Sequence, residues 1–106
     1  MPTPRVPIPS AALAAVCQEF EIAKLSLFGS VLRDDFGVES DIDVLIEFNP
    51  GRAPGFLTLA HLSERIGDLF PGRRVDVLTP GFLSRHFRAA VLAEAHPVIV
   101  DGHVAA

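Results

Sequence analysis

Two aspartates separated by a single residue, Asp41 and Asp43, form the clearest chemical signal in the sequence. They stand at the start of a predicted buried strand, directly before the apolar run Val44-Leu45-Ile46. Side chains two residues apart in a strand point to the same face, with Cα atoms about 6.5 Å apart. Two carboxylates at that spacing can both reach a pair of divalent cations about 4 Å apart, as two-metal phosphoryl transfer requires.

A third aspartate, Asp76, lies in the middle of a later predicted strand, residues 74–79. Aspartate is disfavoured in strands and is costly to bury without a partner. One such residue is readily explained as a strand-end cap or as a member of an ion pair. Three of them favour a bound cation over solvated strand ends, and carboxylates suit a hard cation such as Mg²⁺. We therefore predict a magnesium site formed by Asp41, Asp43 and Asp76.

A Gly29-Ser30 turn ends a predicted strand over residues 24–28 and opens a predicted short helix over residues 31–36. A glycine at such a turn allows backbone N–H groups to approach an anion closely, and a helix N-terminus would add positive charge. A Gly-Ser pair is more often a plain turn. It indicates phosphate binding here only because it lies between a strand and the sequence that leads to Asp41. If this strand neighbours the one that begins near Asp41, phosphates held at the turn would lie beside the cations.

The remaining pattern alternates helices with strands. A helix is predicted from an N-cap at Ser10, with Cys17 on its apolar stripe as a core residue rather than a reactive thiol. A loop at 49–55, a helix at 56–70, a last helix from about residue 83, and a short edge strand at 97–100 follow. We expect an extended segment over residues 1–9 and one domain over residues 10–106.

Composition narrows the class of protein. The 106 residues are 49% hydrophobic and 21% charged, as in a globular domain, and the formal net charge of −4 argues against direct binding to nucleic acid. A single cysteine cannot form an internal disulfide, which suits a reducing compartment. The sequence has neither a signal-peptide core nor an apolar run of about 20 residues, so we expect a cytoplasmic protein without a membrane association.

These blocks together resemble a known family. A Gly-Ser pair, ten intervening residues, then SDIDVLIEF and a later VDVLT resemble the nucleotidyltransferase superfamily that includes DNA polymerase β. More closely, the chain is similar to the minimal nucleotidyltransferases, the antitoxin half of HEPN–nucleotidyltransferase pairs. The resemblance runs from LFGSVLRDDF through RRVDVLTPGFLS to the closing helix. It implies an α+β nucleotidyltransferase fold with α/β-type alternation, in which a small mixed sheet is flanked by helices.

The resemblance also implies roles for individual residues. Gly29 and Ser30 would hold the nucleotide phosphates. Asp41 and Asp43 would ligate two Mg²⁺ ions, and Asp76 would ligate the ion that activates the acceptor and could take the acceptor's proton.

Two further residues belong to the nucleotide-binding candidates. Arg33 would point to the γ-phosphate, with pairing to Asp34, Asp35 or Glu39 as the alternative. Ser40 is included with this group, although its position also suits bracing the start of the strand.

The implied reaction is transfer of AMP from ATP, with pyrophosphate leaving, to a tyrosine hydroxyl of a partner HEPN ribonuclease toxin. The chain shows no second domain that would hold an acceptor, so we expect another molecule to present it. Two alternatives stay open: an antitoxin that neutralises its toxin by binding alone, and a transferase acting on a small molecule.

Overall fold

The computed structural model describes residues 6–33, 36–37 and 39–105. Three helices are present in this part of the chain: α1 (Ser10–Glu19), α2 (Phe56–Gly67) and α3 (Arg85–Glu94). The strands are β1 (Ile22–Phe28), β2 (Ile42–Phe48), β3 (Val75–Leu78), β4 (His96–Val100) and β5 (His103–Val104). Two 3₁₀ turns, Gly29–Leu32 and Pro80–Phe82, follow β1 and β3.

The strands form one mixed sheet in the order β3-β2-β1-β4-β5. Strand β1 pairs antiparallel with both β2 and β4, while β2 and β3 run parallel. A parallel pair needs a crossover connection, which α2 supplies here. The predicted α+β fold with a small mixed sheet is therefore confirmed, and β2 is the buried internal strand that its apolar run indicated.

The hydrophobic core lies on one face of this sheet. Helix α1 contributes Leu13 and Val16, and α2 contributes Leu62 and Ile66, all buried. Alternate strand residues complete the same core cluster: Leu25, Leu27, Val44, Ile46 and their neighbours. Because strand side chains alternate between faces, Asp43 points to the opposite face of β2, away from α1 and α2.

Cys17 belongs to this core and is only 1% exposed, which confirms its interpretation as a packing residue. Burial raises the pKa of its thiol to about 12. In the described ranges, no helix is both long enough and apolar enough to cross a bilayer.

The predicted helix over residues 31–36 is wrong. The structure has a single 3₁₀ turn over Gly29–Leu32, and Arg33 is already extended, with φ −112° and ψ 158°. Val31 and Leu32 are both buried, so two successive side chains turn inward, which suits a tight turn better than a surface helix. A single turn has no appreciable macrodipole, so its N–H groups act as individual donors. Positions 34, 35 and 38 lie outside the described residues.

Two predictions at the chain ends also need correction. Ser10 is the first residue of α1, and Pro9 occupies the N-cap position that we had assigned to Ser10. The predicted edge strand is the internal strand β4, because β5 pairs with it beyond the Asp101-Gly102 turn. Asp-Gly between apolar residues is a strong hairpin signal, and it explains the tight turn from β4 to β5.

Candidate active site

The strand register brings the predicted acids to one part of the sheet. Asp43 is the cross-strand partner of Phe28 on β1 and of Asp76 on β3. Asp41 lies one residue before β2, two positions from Asp43. The expectation that the Gly-Ser strand neighbours the Asp43 strand is therefore correct, and Asp76 faces the same side as Asp43.

The electrostatics of Asp43 reflect this crowding. Burial raises the pKa of its carboxyl, and the negative charges of Asp76 and Asp41 raise it further, while Arg33 opposes the shift. Within the described ranges, no three side chains among His, Cys, Asp and Glu lie close enough together to hold a metal ion directly. Carboxylates that repel one another turn apart, and a hard cation would draw them together. The residues thus fit Mg²⁺ in donor type and in charge.

Gly29 is fixed by two independent constraints. Its φ is +76°, a left-handed conformation that glycine adopts without strain. A Cβ built on it would also overlap Oδ2 of Asp43. The backbone at residue 29 therefore passes directly beside the Asp43 carboxylate, and only glycine leaves room for that approach.

A residue absent from our sequence-based site, Glu94, completes this environment. The Gly29 N–H donates to Oε1 of Glu94 at 3.2 Å, and Nη2 of Arg33 lies 3.6 Å from the same oxygen. Glu94 is 65 residues from Gly29 in sequence, so no local spacing could reveal the contact. Among the alternative partners of Arg33, Asp34 and Asp35 lie outside the described residues. Within the described residues, its ion pair is with Glu94 and not with Glu39.

The two serines of the predicted site make backbone contacts. The Ser30 hydroxyl donates to the Asp41 carbonyl at 3.3 Å, which ties the Gly-Ser turn to the residue before β2. The Ser40 hydroxyl accepts a hydrogen bond from the Gly37 N–H at 3.0 Å. Ser40 thus braces the loop before β2, and its assignment to nucleotide binding stays a prediction.

Arg73 is a second residue that sequence reasoning did not place in this region. Its Nη1 donates to the carbonyls of Gly37 at 2.7 Å and Ser40 at 3.4 Å, and its guanidinium lies 4.4 Å from the Phe36 ring centroid. The Ile42 N–H also donates to the Arg74 carbonyl at 2.9 Å. These contacts fix the start of β2, and hence Asp41, against the start of β3.

The acids, the glycine turn and the mixed sheet define a class of protein. The profile of the family described as "Nucleotidyltransferase domain" matches residues 10–99, so the chain belongs to that family. It is more particularly a nucleotidyltransferase of the minimal type, as a solved structure with 33% identity indicates. Two further relatives are named protein adenylyltransferases.

The first is "Putative protein adenylyltransferase MJ0435" of Methanocaldococcus jannaschii, 33% identical over 74% of this chain and 81% of that protein. The second, "Protein adenylyltransferase MntA" of Thermococcus cleftensis, is 30% identical over 73% of this chain and 75% of its own. The solved structure is a "putative minimal nucleotidyltransferase", 33% identical, with a TM-score of 0.68 over 83% of this chain and 87% of that one.

A more distant solved structure shares the fold alone. It is described as a toxin–antitoxin with AMP-PNP, is 14% identical, and has a TM-score of 0.69 over 88% of this chain and 74% of that one. The predicted family, fold and enzyme class are thus confirmed: this chain is a nucleotidyltransferase.

Proposed function

We propose that this chain is a protein adenylyltransferase that moves AMP from ATP to a hydroxyl of a partner protein, using two Mg²⁺ ions. The observation that carries the proposal is the register of Asp43 with Asp76, directly beside the backbone of Gly29. Two relatives with at least 30% identity are named protein adenylyltransferases, which supports AMP as the transferred group.

The chain's own residues would have three roles: binding both metal ions, binding the metal ion on the acceptor side, and binding the phosphates. Asp41 and Asp43 hold both metal ions, and Asp76 holds the ion on the acceptor side. The Gly29 N–H, the Ser30 hydroxyl and the Arg33 guanidinium bind phosphate oxygens. Bound Mg²⁺ supplies positive charge at the oxygens where negative charge develops. Ser40 braces the loop and stays a candidate for nucleotide binding.

The transfer step is an in-line displacement. The acceptor oxygen forms a bond to the α-phosphorus while the bond from that phosphorus to the pyrophosphate oxygen breaks. The acceptor proton passes to the carboxylate of Asp76, which is exposed at the surface of β3. Pyrophosphate leaves with the electron pair, so AMP becomes a phosphodiester on the acceptor.

We further propose that the acceptor is a tyrosine of a HEPN ribonuclease toxin and that the chain acts as the antitoxin in the cytoplasm. Support comes from the fold shared with a toxin–antitoxin structure that contains AMP-PNP. The net charge of −4 agrees with a protein acceptor rather than a nucleic acid.

Neutralisation by binding alone is a second candidate, and the surface is compatible with it. Phe56, Leu57, Phe82 and Phe87 are 82%, 84%, 63% and 66% exposed, which is unusual for large apolar side chains. Such side chains are suited to contacting a partner protein whether or not transfer occurs.

One experiment separates these candidates. Wild-type protein, Asp41→Asn/Asp43→Asn and the exposed-site control Glu64→Gln are each mixed with a HEPN toxin, Mg²⁺ and α-³²P-labelled ATP. We expect the toxin to be labelled by wild type and control only, with loss of its ribonuclease activity. Labelling by the double variant would refute the catalytic assignment. Neutralisation without labelling by any of the three proteins would establish the binding-only candidate.

A further inference from the structure

We propose that Glu94 is an internal competitor for the nucleotide phosphates and thereby sets the affinity of the site. The inference deepens the proposed function and rests on the assignment of Gly29 and Arg33 to phosphate binding. It concerns a residue that belongs neither to the glycine turn nor to the acids of β2 and β3.

The geometry places one carboxylate oxygen on two donors. Oε1 of Glu94 accepts from the Gly29 N–H at 3.2 Å and lies 3.6 Å from Nη2 of Arg33. These are the donors that the glycine turn and the arginine would offer to a phosphate oxygen. The protein thus holds its own anion at the position where an anionic ligand would bind.

The two anions cannot be held together. A backbone N–H has a single hydrogen, and it makes one strong hydrogen bond at a time. A phosphate oxygen at Gly29 would also bring like charge against the Glu94 carboxylate, beside the already crowded Asp43. Nucleotide binding therefore requires that the Glu94 side chain move off both donors.

The structure allows that movement at low cost. The side chain of Glu94 is 39% exposed and that of Arg33 is 59% exposed, so both can change rotamer into solvent. In the described part of the chain, α3 contributes no buried residue to the core, so a rotamer change at Glu94 opens no cavity there. Displacement of Glu94 leaves the sheet and the core untouched.

The exchange weakens the binding of every ligand that needs these two donors by the same factor. Such a ligand binds only to molecules in which Gly29 and Arg33 are free of Glu94, so the measured dissociation constant rises by the inverse of that fraction.

The test compares Glu94→Gln, which removes the charge, and Glu94→Ala, which removes the acceptor, with Glu64→Gln as the matched exposed control. Affinity for a non-hydrolysable ATP analogue with Mg²⁺ is measured by calorimetry. We expect both Glu94 variants to bind about threefold to tenfold more tightly, the range for losing a half-exposed ion pair and a charge-assisted hydrogen bond. AMP should gain no more than the analogue, because removal of the competitor helps each ligand by at most the same factor.

Unchanged or weakened binding of the analogue by both Glu94 variants, with wild type binding normally, would overturn this inference and leave the proposed function standing. If wild type and variants all fail to bind, the nucleotide site itself is wrong and the inference falls with it.

A second readout needs no nucleotide. The Gly29 amide resonance should move in the ¹⁵N–¹H spectrum of Glu94→Ala and stay in place in Glu64→Gln. A Gly29 resonance unaffected in Glu94→Ala would refute the contact itself, whatever the calorimetry gives.

Discussion

Asp43 and Asp76 are register partners on the adjacent parallel strands β2 and β3. Neighbouring strands lie about 4.8 Å apart, and partner side chains project from the same face of the sheet. The backbone thus holds the two Cβ atoms close together, although the carboxylates can turn apart by rotamer changes. The sheet itself therefore maintains an unfavourable pair of negative charges, a cost that a divalent cation would relieve.

The first prediction is that Asp43→Asn stabilises the protein in the absence of divalent cations. The folded-state pKa of Asp43 is raised from 3.8 by burial and by its acidic neighbours. Its favourable contribution to stability is present while the group is protonated, and is lost as pH rises through the raised pKa. At pH 7 the ionised carboxylate thus costs stability, which the amide does not. Urea unfolding at pH 7 should show a higher midpoint for the variant.

Two comparisons check that interpretation. Lowering the pH toward 4 should shrink the difference between variant and wild type, and added Mg²⁺ should raise the midpoint of the wild type only. Asp68→Asn, at an exposed carboxylate after α2, should show neither behaviour. A destabilised Asp43→Asn protein at pH 7 would show that the carboxylate is favourably paired instead.

The second prediction concerns the close approach at Gly29. Gly29→Ala and Gly72→Ala share the strain of a left-handed conformation, since φ is +76° at both. Alanine at such a position costs about 1 kcal/mol. A Cβ at residue 72 meets no atom within 4 Å in the described part of the structure, whereas one at residue 29 overlaps Asp43. Gly29→Ala should therefore lose more stability than Gly72→Ala. The difference between their unfolding free energies is the cost of the overlap between the new Cβ and Asp43.

Nucleotide affinity should also differ between Gly29→Ala and Gly72→Ala. Gly29→Ala is expected to lose binding of an ATP analogue, because the backbone or the Asp43 carboxylate must shift, while Gly72→Ala keeps it. Equal unfolding midpoints and equal affinities in the two variants would mean that the turn has no role beyond its conformation.

Short sequence patterns correctly predicted those parts of the site that lie within one strand or one turn. The alternation around Asp43 and the apolar run behind it identified β2 and the orientation of its acids. The Gly29-Ser30 turn was placed correctly between two neighbouring strands. Each of these inferences needed only the period of a strand and the chemistry of a turn.

Contacts between distant segments could not be predicted in this way. Glu94 reaches Gly29 across 65 residues, and Arg73 reaches Gly37 across 36. Neither contact is marked by a characteristic residue spacing in the sequence. The tight turn at Val31 and Leu32 failed as a helix prediction for the same reason, because burial against the core decided its shape and local propensity did not.

The third prediction concerns Arg73, which braces the loop before β2 through the carbonyls of Gly37 and Ser40. Arg73→Ala should loosen this loop and cost about 1–2 kcal/mol of unfolding free energy, through two lost charge-assisted hydrogen bonds. Hydrogen exchange at the amides of Ser40 and Ile42 should accelerate. Arg74→Ala is the control, since Arg74 is exposed and contributes only its backbone carbonyl to the Ile42 amide. Equal exchange rates in the two variants would exclude the bracing role.

The fourth prediction is that Cys17 reacts only when the protein unfolds. Its thiol is 1% exposed within the α1 side of the core, and burial raises its pKa to about 12. An unfolded cysteine has a pKa of about 8.5, so the thiolate fraction at pH 8 is much smaller in the folded protein. Alkylation by iodoacetamide at pH 8 should therefore be much slower in buffer than in 8 M urea. Leu62→Ala, which opens a cavity in the same core, should speed the reaction by raising the unfolded population. Rapid alkylation of the native wild type would place Cys17 outside the core and would contradict the packing of α1 against the sheet.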